Sequence, residues 1–145
     1  MGNPAFDTAP GSGVSSGVSA LPIVHEAIGP QGPVRLELRA HGRGVILRLD
    51  GAWHEAIPDP VVRRIQAALQ EAKPQAVAVD LSCCTHLVSV ALGFLVLFYQ
   101  AASAAGSAKA HICAPAKIAT LIRILGLGSF FQTVATPAEL EKALA

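Results

Sequence analysis

The chain has 145 residues, 52% of them hydrophobic and only 14% charged, with a net charge of +1. That is material for one domain with a large core. It lacks the clustered Lys and Arg that a nucleic-acid binder needs to release counterions from phosphates. The three cysteines, Cys83, Cys84 and Cys113, have no C-x-x-C spacing and read as reduced thiols of a cytoplasmic protein.

Residues 1–33 are rich in Gly, Ser, Pro and Ala without periodicity and are expected to form a flexible leader. They contain no basic segment followed by an apolar one, so they do not read as a signal peptide. Phe6 stands where myristoylation wants Ser or Thr. The apolar run from Val90 to Tyr99 is shorter than the ~20 residues a bilayer span takes. The expected folded unit is therefore residues 34–145, cytoplasmic and without direct membrane insertion.

Val34 to Ala40 alternates strictly, with Val34, Leu36 and Leu38 on one face and Arg35, Glu37 and Arg39 on the other, which predicts a half-wet strand. The turn His41-Gly42-Arg43-Gly44 leads into a second strand, Val45 to Trp53, and so into an antiparallel hairpin. Asp59 as N-cap and Pro60 at the first helical position open a helix with Val62, Ile65, Leu69 and Ala72 inward. Residues 76–82 predict a buried, parallel strand. A helix follows from about Val90 to Ala104, then a strand at 109–114. Pro115 opens a third helix with Ile118, Leu121, Ile122 and Leu125 as its inward stripe. Residues 130–135 predict a short strand. The last helix has Thr136 as N-cap, Pro137 next and Glu139 completing a capping box. The expected class is α/β: a mixed β-sheet, an N-terminal antiparallel hairpin then parallel α/β units, with about four helices.

The segment Ala76–Tyr99, AVAVDLSCCTHLVSVALGFLVLFY, carries the functional signal. A buried strand runs through a polar turn into a helix with almost no polar face, and Ser89 stands at the helix start. Helix N-termini favour anions because their first N–H groups lack partners and the dipole is positive there. A phosphate on Ser89 would add nearly two negative charges to an apolar surface. An ordinary N-cap serine accounts for the residue equally simply.

The element order and these residues resemble the STAS domain, the module of anti-sigma-factor antagonists and sulfate-transporter tails. Asp80-Leu81-Ser82 matches the family's strand end, and Thr85, Leu87, Ser89, Leu92 and Gly93 keep the later register of its D-S-S-G-L-G motif. The segment IATLIRILGLGSFF matches a family helix, its glycine cap and an aromatic strand entry. The motif is degenerate: Val88 and Ala91 replace the acidic residue and the glycine, and Ser89 is the retained serine. A further acidic position after the second strand is filled by His54, in Gly51-Ala52-Trp53-His54.

The resemblance implies a non-enzymatic, protein-binding regulatory module, first of all an anti-sigma-factor antagonist. Such a module works by partner switching in transcription regulation: it binds a kinase-type anti-sigma factor and is released on phosphorylation. Ser89 is then the candidate phosphoacceptor, and Trp53, His54, His86, Leu87, Val88, Val90, Ala91 and Phe94 are the expected partner-binding residues. Two alternatives share the fold: an accessory subunit contacting the ATPase or permease of a lipid-transport ABC system, and a small-molecule or redox sensor using the cysteines. Cys83, Cys84, His86, His111 and Cys113 are zinc-type ligands on converging strand ends. Adjacent cysteines seldom both bind one ion, however, and no metal or cofactor is expected. There is no G-x-S-x-G, Walker A or G-x-G-x-x-G pattern.

Overall fold

The computed structural model describes residues 21–145. Its elements are β1 (Ile23–Gly29), β2 (Gly32–His41), β3 (Gly44–Trp53), α1 (Asp59–Ala72), β4 (Ala76–Asp80), β5 (Cys84–Leu87), α2 (Ser89–Ala104), β6 (Lys109–Cys113), α3 (Ala116–Ile124), a 3-10 turn (Leu127–Ser129), β7 (Gln132–Thr133) and α4 (Pro137–Leu144). The sheet order is β1-β2-β3-β4-β6-β7, with β5 paired to β3 beyond the end of β4. The first three strands are antiparallel, and the β3–β4, β4–β6 and β6–β7 pairs are parallel. This is the mixed sheet with four helices that the sequence implies.

The alternating side chains of the strands build two cores of unequal size. Leu36, Leu38, Val45, Leu47, Leu49, Val77, Val79 and Ile112 meet the inner faces of α1, α2 and α3. On the other face Ile46, Ala76, Ala78 and Cys113 are covered by Leu140 and Leu144 of α4. Both faces of β4 are therefore buried, which is why it reads as a continuous apolar run.

Several details differ from the sequence reading, beginning with β5 (Cys84–Leu87), which lies in a segment read as a turn. Ile23–Gly29, assigned to the flexible leader, is the edge strand β1, held along its whole length by antiparallel pairing with β2. Residues 1–20 lie outside the described residues. In α1 the cap position is Pro58, Asp59 is already helical and makes no cap hydrogen bond, and the fully buried positions are Val61, Ile65, Ala68 and Leu69. In α3 only Ile118 and Ile122 are buried, while Leu121 and Leu125 face outward. Among the described residues no element buries Leu121 and Leu125, so the spacing alone overstated the covered arc. In α4 the Thr136 side chain accepts from the Glu139 N–H as expected, but the Glu139 carboxylate reaches the N–H of Ala135 rather than that of the cap residue.

Candidate functional site

The candidate site is assembled at the C-terminal ends of β3 and β4. Asp80 closes β4 and is buried, with one carboxylate oxygen accepting from the Ser82 N–H at 2.9 Å and from the Ser82 hydroxyl at 2.6 Å. That turn throws the chain across to β3. The Gly51 N–H donates to the Cys83 carbonyl at 3.0 Å, and β5 then pairs in parallel with the end of β3. The register shifts between Gly51 and Ala52. Gly51 sits at φ 95°, and a Cβ there would stand 2.6 Å from the Pro33 carbonyl oxygen, so glycine permits this bulge. The last rung is the Val88 N–H to the Trp53 carbonyl at 3.0 Å. Val88 then accepts from the N–H groups of Ala91 and Leu92 and so begins α2.

Val88 therefore occupies the cap and Ser89 is the first helical residue. The cap makes no side-chain hydrogen bond, so Ser89 does not serve as an N-cap here. Its hydroxyl lies at the exposed first turn, where a bound or covalent anion would meet free N–H groups and the positive helix end. No residue of α2 is charged. The helix buries Ala91, Leu92, Phe94, Leu95, Phe98 and Ala102 and turns Ser89, Val90, Gly93, Leu97 and Gln100 to the surface, with Val90 58% exposed.

Burial divides the expected partner-binding residues. His86 and Val90 are exposed, and His54 and Val88 are partly so. Trp53, Leu87, Ala91 and Phe94 are in the core and present no surface to a partner. Trp53 is held inside by donating its indole N–H to the Asp50 carbonyl at 3.1 Å. It closes the end of the core, and the lateral position of β5 carries Leu87 inward with it.

Sequence reasoning missed the pairing of His54 with His86, whose rings stack with centroids 4.4 Å apart and planes inclined by 22°. Only the β3–β5 pairing, Ala52 opposite His86, brings them together. Gly93, which together with Leu97 continues the Val90 face along α2, was also missed. Both share its i, i+3, i+7 spacing, but an all-apolar helix gives no polar marker of which side faces out. A cavity of about 90 Å³ beside His54, lined by His25, Val34, Trp53 and Glu55 among others, is small against the ~300 Å³ and more of typical ligand pockets.

The zinc-type side chains do not converge. Among the described residues no three His, Cys, Asp or Glu side chains are grouped to hold a metal ion. Cys83 is exposed, with a guanidinium N–H of Arg48 3.3 Å from its sulfur. Burial pushes the Cys84 thiol up to about 11. Burial, with the nearby Asp80 and Glu139 carboxylates, also raises that of Cys113. Both thiols thus stay protonated at neutral pH, the poor state for a ligand or nucleophile. His111 is 6% exposed, and neither ring nitrogen has a hydrogen-bond partner among the described residues.

No family model matches the sequence, and no curated protein matches it either. Solved structures do. An anti-sigma factor antagonist from Mycobacterium paratuberculosis superposes with TM-score 0.64 at 19% identity, covering 81% of this chain and 98% of its own. The chain has the STAS fold. An anti-sigma-factor antagonist (STAS) domain protein from Planctomyces limnophilus gives 0.56 at 15%, over 76% and 97% of the two chains. The Bacillus cell fate determinant SpoIIAA in its phosphorylated form gives 0.52 at 15%, over 74% and 98%. At these identities the likeness is one of fold. Among the described residues no helix is long and apolar enough to cross a membrane.

Proposed function

We propose that this STAS-fold chain is a non-enzymatic protein-binding module of the anti-sigma-factor-antagonist type, acting in the cytoplasm. It docks a kinase-type anti-sigma factor on the first turn of α2. Exposed Ser89 and Val90 at the start of a helix without a single charge carry this reading. His54, His86 and Val88 form its rim. An apolar first turn suits a protein contact, and a phosphate at Ser89 would place nearly two negative charges within it. That a structural relative, SpoIIAA, exists in a phosphorylated form is in keeping with a phosphorylation switch on this fold. Val88 and Ala91 change the charge and backbone freedom around the serine, so we infer a weak kinase substrate that resides mostly in its binding form.

The test pairs phosphosite mass spectrometry of protein from its own cell with partner capture and titration. Ser89→Ala should keep partner affinity within a few-fold. Ser89→Asp should lower it by tenfold or more, roughly 1.4 kcal/mol. Val90→Asp should lose the partner in a protein that still folds. Stoichiometric phosphate on Ser89 overturns the weak-substrate reading, and recovery of a transporter ATPase instead of an anti-sigma factor overturns the assigned partner.

A further inference from the structure

Ile118 and Ile122 of α3, with Leu127 and Phe131 beyond it, anchor the segment to the core. Between them the chain turns large apolar side chains outward: Ile124 is 70% exposed and Leu125 53%, with Leu121 and Phe130 also exposed. The link from Leu125 to Phe130 is uncharged, and Gly126 at φ 77° and Gly128 have open space where a side chain would stand. The result is an exposed apolar tip, and none of its residues lines the clefts beside β1, β2 and α4.

Its charge is one-sided. No Asp or Glu occurs between Asp80 and Glu139, so α2, β6, α3 and β7 carry only Lys109, Lys117 and Arg123 as full charges. Lys117 shares the outward face of Leu121 and Ile124 by i, i+4, i+7 spacing, and Arg123 stands next to Ile124 within the tip. Among the described residues the ion pairs involve Arg35, Arg39 and Arg48 of the sheet, and neither Lys117 nor Arg123. A two-fold contact with a second copy would set these unpaired cations against each other.

We propose that this tip, Leu121 to Phe130, is a peripheral docking surface for an anionic lipid bilayer, distinct from the first turn of α2. Exposed apolar side chains beside unpaired cations fit a soft, negatively charged interface, with Ile124 and Leu125 at the headgroup boundary, Phe130, whose ring rests on Tyr99 at 5.0 Å, at its edge, and Lys117 and Arg123 among the anionic headgroups. The nine-residue α3 lies on the membrane and does not cross it. Two cations and a few apolar side chains give weak, reversible, salt-sensitive attachment.

The test uses the full chain with vesicles of equal parts phosphatidylglycerol and phosphatidylcholine, against vesicles of phosphatidylcholine alone. Phe130→Trp supplies a fluorescent reporter, because the native Trp53 is buried and should respond little. Expected are co-sedimentation and a blue shift with the anionic vesicles only, both reduced by salt. Lys117→Glu or Arg123→Glu should each weaken binding by about fivefold or more. The double variant Ile124→Ser, Leu125→Ser should abolish binding with an unchanged melting curve. No attachment to anionic vesicles overturns the proposal. So does attachment insensitive to the charge or serine variants, equal binding to phosphatidylcholine, or a tip that instead mediates self-association or capture of an acidic protein without vesicle binding.

Discussion

The imidazoles of His54 and His86 stack at 4.4 Å and join the end of β3 to β5 just ahead of the first residue of α2. Together with the Val88–Trp53 rung they fix where Ser89 emerges. The His54 Nε2 is buried and has no hydrogen-bond partner among the described residues. The pair therefore works here as an aromatic contact rather than a polar one.

An aromatic contact should survive loss of its nitrogens. His54→Phe should be neutral or slightly stabilising, because it removes an unsatisfied buried polar atom. His54→Ala and His86→Ala should show a coupling of about 0.5–1.5 kcal/mol in a double-mutant cycle, toward the low end because His86 is exposed. Urea titration of the four proteins measures it, and a coupling of zero removes the pair from the site's support.

The corrected orientation of α3 makes neighbouring residues behave oppositely. Ile122→Ala should cost about 2–5 kcal/mol, as expected for a buried side chain that leaves a cavity. Leu121→Ala, at 38% exposure, should cost well under half as much. Equal losses in denaturant titration would show that the helix is rotated.

Gly93 stands in the middle of α2 on its exposed side, with open space where a Cβ would be. Gly93→Ala should raise stability by about 0.5–1 kcal/mol, since glycine loses more chain entropy in a helix. If a partner backbone approaches this face, the same change should weaken partner capture. A thermal melt and a titration separate the two effects.

His111 lies buried between the sheet and α4, and burial, with the positive charge of Lys109, lowers its pKa below the ordinary 6.5. The unfolded chain then binds a proton that the folded chain refuses. Stability should therefore fall as the pH drops through 6.5 and should level off only below the folded value, with a slope for this one group of at most about 1.4 kcal/mol per pH unit. His111→Gln should flatten that part of the profile in urea titrations at pH 7.5, 6.5 and 5.5. An unchanged slope would assign the proton uptake to other groups.

Elements whose signals are local are legible in the residues alone. Proline at the first turn of α1, the Thr136–Glu139 cap of α4, the alternation of β2 and the unbroken apolar run of β4 each follow from backbone geometry and burial within a few residues. The sequence also placed Ser89 at a helix start, because the polar turn Ser82–Thr85 breaks the apolar pattern between β4 and α2. Tertiary structure decided the rest. β1 buries little beyond Ile23 and exists through its pairing with β2, so nothing in its own side chains announces a strand. The inward turn of Trp53, Leu87, Ala91 and Phe94, and the outward turn of Val90, Leu97, Leu121 and Leu125, depend on which elements cover each face. In α2, where every candidate is apolar, hydrophobicity cannot distinguish a core position from a docking surface. Only the placement of the neighbouring helices leaves the first turn open.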